Sequence, residues 1–278
     1  MITIVSDTSA IRQQVFDWRK SGLTTALVPT MGGLHAGHLA LMDTARLAAD
    51  KVIVSIYVNP TQFAPSEDFE KYPRQLDTDI ALIGDRADAV FAPINLYAED
   101  HTTTISPAGP AVGLEADNRP HFFAGVATIV LKLFNQMPVD KAVFGEKDFQ
   151  QLAVIQKMVA DLDLPIDVIS HPTVRDEDGL ALSSRNRYLT DSERSVAKGL
   201  YQTLSDCAAM LQQGMPVNRC LASSKEQLLS GGFSSVDYLS LCNRVTLAPL
   251  DHLTGKDRLL VAAYLGDVRL IDNIEVEM

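Results

Sequence analysis

Cysteine is scarce and unpatterned in this chain. Cys207, Cys220 and Cys242 all fall in the last third, with no CxxC pair and no metal spacing. An odd, sparse set argues against a disulfide framework and fits reduced thiols. Basic charge is also in short supply: 24 Lys and Arg stand against 35 Asp and Glu, a formal net charge of −11. That balance argues against a nucleic-acid-coating surface, so an anionic ligand must be met by a local cluster of Lys, Arg and His. No apolar run is long enough to span a bilayer, and the start, MITIVSDTSAIRQQ, lacks the features of a secretory signal. The expectation is a cytoplasmic protein with neither membrane nor nucleic acid as a partner. Gly-x-Ser-x-Gly, the P-loop and Gly-x-Gly-x-x-Gly are missing too, which disfavours a serine hydrolase, a P-loop enzyme and a dinucleotide enzyme.

What is present is the composition of a globular enzyme. The 278 residues are 46% hydrophobic and 21% charged, enough for one large or two modest domains. Strand-like runs at 2–5, 24–28, 51–58, 88–91, 142–144 and 166–169 alternate with helical patterns, including an apolar stripe over 125–137. Alternation of this kind predicts an α/β fold with a parallel sheet, whose ligands sit outside the carboxyl ends of the strands. Pro29 is expected to end the second strand and Asn59-Pro60 the third, before a polar loop over 61–74 and a short helix at 76–83. From residue 175 the character changes. Thr190-x-x-Glu193 is a capping-box signature for one long helix closed by Gly214, another helix reaches Gly231, and three strand-like runs end the chain. The expected division is 1–174 and a smaller α+β domain, 175–278.

Residues 29–41, PTMGGLHAGHLAL, organise the rest. A buried strand runs into Gly32-Gly33, and His35-Ala36-Gly37-His38 opens an apolar-periodic helix. Glycine removes the Cβ that keeps an anion from the backbone, and a helix start offers unpaired N–H groups. His35 and His38 share a face and suit phosphate, their imidazolium N–H groups donating as charge develops on a leaving group. Polar surface and zinc are the alternatives, though two histidines alone are an incomplete zinc set. Gly145-Glu146-Lys147-Asp148 lies at a strand–helix junction. Asp148 and Gln151 fit a capping box, but Lys147 opposes the helix dipole unless an anion binds there. Ser183-Ser184-Arg185 offers hydroxyls and a guanidinium fork for phosphate oxygens. Asn59-Pro60-Thr61-Gln62 either holds a small polar substrate or caps its own loop. His101, His121, His171 and His252 have no sequence neighbours that suggest catalysis.

Four stretches occur in fixed order: PTMGGLHAGHLAL, VSIYVNPTQF followed by EDFEKYPR, FGEKDFQQL, and DGLALSSRNRYL. Together they closely resemble the pantothenate synthetases (pantoate–β-alanine ligases) of the His-x-Gly-His nucleotidyltransferase superfamily. The match runs from about residue 24 to 190, and the ending LLVAAYLGDVRLIDN is in keeping. The resemblance implies a Rossmann-like N-terminal domain, a covering C-terminal domain and a homodimer. It implies a ligase that couples pantoate to β-alanine with ATP and Mg²⁺, through pantoyl adenylate, releasing pyrophosphate and AMP. Carried over by motif, Met31, Gly32, Gly33, Leu34, His35, Ala36, Gly37 and His38 bind ATP, with His38 as proton donor. Gly145, Glu146, Lys147 and Asp148 flank the nucleotide, Lys147 on phosphate and Asp148 on ribose. Val174, Leu182, Ser183, Ser184 and Arg185 complete that site, and His38, His35, Lys147 and Arg185 form the catalytic set. Gln62 and Gln151 fall where the family holds pantoate, Gln62 also near β-alanine. The metal ligands are not given by any motif; Asp77 and Asp79 are the candidates. A related nucleotidyltransferase acting on another small acceptor is the competing expectation, against which the Gln62–Gln151 pair argues.

Three places depart from the family pattern, one of them the loop Asn135-Gln136-Met137-Pro138-Val139-Asp140, whose proline comes one place early. Gly33 stands where Ala is common, which is expected only to loosen the loop. Arg119-Pro120-His121-Phe122-Phe123 replaces Arg-Pro-Gly-His-Phe, so Phe122 occupies the family's histidine position and no role is carried over to it.

Overall fold

The computed structural model describes residues 2–64 and 67–278. Pro65 and Ser66, within the polar loop expected over 61–74, lie outside the described residues. The chain runs β1 (Thr3–Val5), α1 (Thr8–Lys20), β2 (Thr25–Thr30), α2 (Ala36–Ala48), β3 (Lys51–Ile56), α3 (Leu76–Ile83), β4 (Ala89–Phe91) and α4 (Glu115–Asn118). It continues with α5 (Phe122–Gln136), β5 (Lys141–Gly145), α6 (Phe149–Asp161) and β6 (Asp167–His171). The last third is α7 (Asp191–Ala197), α8 (Gly199–Gln212), α9 (Val217–Ser230), β7 (Ser235–Asn243), β8 (Lys256–Leu265) and β9 (Val268–Glu277).

The first six strands form one parallel, Rossmann-like sheet in the order β1-β4-β3-β2-β5-β6. Outward from β2 the chain winds one way through β3 and β4, and the other way through β5 and β6. The crevice at such a reversal is the expected ligand position. Pro29 widens it. Contrary to the sequence expectation, the proline does not end its strand: β2 pairs with β3 through Pro29–Ser55 to Thr30–Ile56. Alternate residues of a parallel strand face alternate neighbours, and the Thr24 and Thr30 carbonyls accept from the β3 side, that of Thr25 from Asp140 beside β5. Pro29 is in phase with Thr25, so its missing N–H faces β5, where pairing already stops at Leu27–Ala142. The two strands part where a ligand can enter.

Apolar layers cover both faces of this sheet. Helix α5 begins three residues earlier than its stripe suggested and buries Phe122, Phe123, Val126, Ile129, Val130, Leu133 and Phe134. Burying a side chain of this size contributes roughly 1.5–3 kcal/mol. A Cβ on Gly125 would lie 2.5 Å from the Thr61 carbonyl oxygen, so glycine alone lets α5 seat against the turn after β3. Asn59 secures the contact by donating from Nδ2 to the Gly125 carbonyl at 3.2 Å. That third strand ends at Ile56, two residues short of expectation.

The C-terminal part is a three-stranded antiparallel sheet, β7-β8-β9, packed by α7, α8 and α9 around its own core. The Thr190–Glu193 capping box is formed. The single helix expected after it is two, divided at Lys198 before Gly199, where the Gln202 N–H to Lys198 carbonyl bond stretches to 3.4 Å. Glycine here weakens the helical ladder at its joint. Cys207, Cys220 and Cys242 are free and buried. Among the described residues no helix is long and apolar enough to cross a membrane.

Candidate active site

A cavity of about 990 Å³ opens outside the carboxyl ends of β2, β3, β5 and β6 and is walled on its far side by β8 and β9. Its floor is the loop from β2 to α2. Gly32 and Gly33 hold φ of 83° and 63°, the left-handed region that favours glycine. The backbone they free is held by the Asp79 carboxylate, which accepts from Gly33 N–H and Leu34 N–H, both at 2.9 Å. A Cβ on Gly32 would approach Asp79 to 2.9 Å. Two expectations change here. Asp79 is buried and occupied by backbone amides, and Asp77 is exposed outside the cavity, so neither is placed to hold a metal. At Gly33 an alanine would be strained rather than merely tighter, because φ is positive.

His35 is the N-cap of α2 and His38 its third residue, and the two rings cap each other's backbone. Gly37 N–H donates to His35 Nδ1 at 3.2 Å and His35 N–H donates to His38 Nδ1 at 3.3 Å. Burial, then His38, Lys147 and Arg187, depress the His35 imidazole to about 3. Burial and then Lys147 depress His38 to about 4. The imidazolium pair expected from sequence is therefore a pair of neutral rings. With each Nδ1 accepting, the remaining proton sits on Nε2, so both rings stay hydrogen-bond donors without positive charge.

The junction after β5 forms a 3₁₀ turn over Glu146–Asp148. Asp148 precedes α6 but makes no side-chain cap, so the capping box with Gln151 is not formed. Gly145, Lys147, Asp148 and Gln151 line the cavity. Among the described residues Lys147 has only a 3.9 Å approach to Asp148 as an ion pair. Glu146 turns away from the cavity: it accepts from Arg258 at 2.9 Å and from Ser170 at 3.0 Å. Asn273 of β9 donates to the Glu146 and Lys147 carbonyls, both at 2.9 Å, and so fixes the turn from behind.

Met31, His35, Gly37, His38, Val174, Leu182, Ser183, Ser184 and Arg185 also line the cavity; Gly32, Gly33, Leu34 and Ala36 support it without facing it. The Arg185 fork is engaged by Asp68, at 2.8 Å and 3.1 Å. That pair ties the loop before α3 to the 3₁₀ turn at Ser184–Tyr188, beside Tyr72, whose hydroxyl lies 3.5 Å from Ser184 Oγ. Gln62 is buried, takes a bond from Asn59 Nδ2 at 3.1 Å, and points Nε2 to Met31 Sδ at 2.9 Å. Phe122 lines the wall with the Arg119 guanidinium 3.8 Å over its ring.

Several residues of the cavity are given no role by the sequence. Glu115 sits in an unassigned stretch, while Asp68 and Tyr72 fall within EDFEKYPR and Arg119 opens Arg119-Pro120-His121-Phe122-Phe123, where no role attaches to them. From β9 comes Arg269, inside the ending LLVAAYLGDVRLIDN, which likewise assigns it none. His171, set aside on its sequence neighbours, lines the cavity at the end of β6. Its position is visible only once β6 is paired with β5, Gly145 opposite His171. The other three do not join it: His101 and His121 are outside the cavity, and His252 is exposed against Asp251.

Known proteins match this arrangement. The profile of the pantoate-beta-alanine ligase family matches residues 3–275. The pantothenate synthetase of Mesorhizobium japonicum is 49% identical over 276 residues, 98% of this chain and 97% of that protein. The crystal structure of pantothenate synthetase from Thermus thermophilus superposes with a TM-score of 0.91 at 41% identity, covering 100% of each chain. A pantoate-beta-alanine ligase from Francisella tularensis, complexed with β-γ ATP and β-alanine, superposes with a TM-score of 0.82 at 31% identity over 99% and 98% of the two chains. The chain belongs to the pantoate–β-alanine ligase family.

Proposed function

We infer that this chain joins pantoate to β-alanine in an ATP-dependent condensation through a pantoyl adenylate. The observation that carries the reading is one cavity holding His38, Lys147, Gln62 and Gln151 together in a chain matched to that family from residue 3 to 275. A pantoate carboxylate oxygen attacks the α-phosphorus of ATP; the bond from that phosphorus to the bridging oxygen breaks and pyrophosphate leaves. The β-alanine amine then attacks the acyl carbon, the acyl–oxygen bond breaks, AMP departs and the nitrogen loses a proton. No protein nucleophile is required.

The first step brings two anions together, so the site has to supply donors and positive charge. His38 and His35 present Nε2–H to the phosphates as neutral donors, and Lys147 supplies the charge. Asp148, half-exposed, is placed for the ribose. Ser183 and Ser184 offer hydroxyls, while Arg185 acts through its ion pair with Asp68 to hold that loop. Gln62 and Gln151 hold pantoate, with Gln62 next to the β-alanine position. Among the described residues no cluster of three His, Cys, Asp or Glu could hold a metal ion. The donor set does not fit a resident Mg²⁺, so the ion belongs with the ATP phosphates as part of the substrate. We place the catalytic domain at 1–174 and the covering domain at 175–278, in a cytoplasmic homodimer.

Incubation with ATP and pantoate, with and without β-alanine, tests the reading. The expected result is AMP and pantothenate in equal amounts only when β-alanine is present. Steady turnover to pyrophosphate with no β-alanine-dependent AMP release would mean a nucleotidyltransferase that stops at the adenylate.

A further inference from the structure

Among the described residues His171 is the one histidine of the cavity wall with no part in the condensation. It ends β6, the edge strand beyond β5, and sits in register with Gly145. Its Nδ1 lies 2.8 Å from Thr44 Oγ1, and that hydroxyl is also 3.1 Å from the Ala40 carbonyl of α2. Thr44 has one proton to give. Both contacts are satisfied when the hydroxyl donates to the carbonyl and His171 donates its Nδ1–H to the hydroxyl. The proton of the neutral ring is then on Nδ1, the opposite tautomer to His35 and His38. Its Nε2 keeps a lone pair, has no hydrogen-bond partner among the described residues, and is not sealed from the cavity.

The order of groups across the sheet says what that lone pair meets. Gln62 follows β3, the His35–His38 loop follows β2, Lys147 follows β5, and His171 closes β6. With the small acid at the first of these and the phosphates at the next two, the remaining part of the nucleotide falls at the fourth. This end of the cavity is an apolar slot of Leu41, Pro172, Val174 and Leu182, the kind of wall that takes a planar base. Beside it, Thr173 Oγ1 is buried without a partner, a second polar atom waiting at the same strand end.

We propose that His171 reads the nucleobase, its Nε2 accepting a hydrogen bond from the 6-amino group of a purine and discriminating against a purine with oxygen at that position. Thr44 is the positioning residue that sets the tautomer. The proposal rests on the nucleotide reading of the cavity given above.

The test compares ATP with purine riboside triphosphate, which lacks only the 6-amino group, and with ITP, which carries oxygen there. For the wild-type enzyme kcat/KM is expected to favour ATP over purine riboside triphosphate by about tenfold, the value of one well-placed neutral hydrogen bond, and over ITP by more. His171→Leu abolishes the preference for the amino group while use of purine riboside triphosphate stays within about twofold, the signature of a pairwise contact rather than a general loss. Thr44→Val, which frees the ring, reduces the preference without removing it. An unchanged preference in both variants overturns the assignment. Imidazole ¹⁵N shifts of the wild-type protein give a readout that needs no variant: His171 should show a lone-pair Nε2 that moves on adding ATP and not purine riboside triphosphate. An Nε2–H tautomer overturns the proposal. If the wild-type protein makes no pantothenate from any nucleotide, the ligase reading fails; the base preference is then read from Kd, and equal values for the two nucleotides overturn the role of His171.

Discussion

The two walls of the cavity are built in opposite ways. The wall at β2 and β5 has few charges: glycines at positive φ, amides pinned by Asp79, and two neutral imidazoles capping one another. The wall at β8 and β9 is a seam of ion pairs. Arg175 grips Asp272 at 2.6 and 2.9 Å, Arg258 meets Glu146, and Arg269 bridges Glu115 and Asp237, both at 2.7 Å. Arg119 joins the same seam through Glu67 and Glu115. Charges already paired this closely do not compete for a phosphate. Lys147, whose only ion-pair contact among the described residues is at 3.9 Å, is left to meet one. The seam fixes geometry, and the β2–β5 wall meets the charge that develops.

That contrast breaks hardest at His38. In His38→Ala the donor from Nε2 is gone, and loss of one such donor costs about 3–4 kcal/mol in the transition state, some 10²–10³-fold in kcat. Stability should fall far less, by about 1 kcal/mol, since only a helix cap is lost. Pyrophosphate release and urea melts on the same variant separate the two. A variant that keeps near-normal turnover would remove His38 from the proposed set.

At the seam the expectation reverses. Glu115 accepts from Arg119, Arg269 and the Tyr238 hydroxyl, and that hydroxyl is pushed well above its usual range by burial and by Glu115 itself. Glu115→Gln keeps the shape but leaves two guanidinium groups short of an anion, a loss of roughly 2–3 kcal/mol in stability. Because the seam acts on geometry, kcat at saturating substrate should change by less than about tenfold. A large fall in kcat with an unchanged melting transition would show that Glu115 takes part in the chemistry.

The same contrast explains what is legible in the sequence. The parallel sheet, the glycine loop, His35, His38, Lys147 and Gln62 are local: each announces itself by periodicity or by residues a few positions away. The Thr190–Glu193 capping box is legible for the same reason. What acts across the chain is not. Nothing near Asp79 says that its partners are Gly33 and Leu34, and Glu146 reads as a nucleotide neighbour until Arg258, 112 residues on, claims it. Asp148 and Gln151 match a capping box in letters, but the 3₁₀ turn ahead of α6 takes the backbone elsewhere. Pro29 reads as a strand end because the direction of its missing N–H depends on which strand lies beside it. The charge on His35 and His38 is invisible in the sequence because it is set by burial and by Lys147.

Those depressed imidazoles make the smallest and most selective test of the contrast. In the unfolded chain a histidine takes its proton near pH 6.5, whereas folded His38 and His35 stay neutral down to about 4 and about 3. Between those limits the unfolded state binds more protons, so stability falls as pH drops from 6.5 and is recovered as pH rises through 6.5. Each imidazole contributes at most about 1.4 kcal/mol per pH unit, and less for His35, which is only half-buried. Replacing both rings with Asn preserves an N-cap acceptor and removes the titration. Urea melts at pH 7.5, 6 and 5 should therefore show a flatter pH dependence for the double variant than for the wild type, with the curves closest at pH 7.5. Parallel curves would mean that both rings take up their protons in the folded state as they do in the unfolded chain, near pH 6.5, so that burial and Lys147 do not hold them neutral and the electrostatic contrast between the two walls is lost.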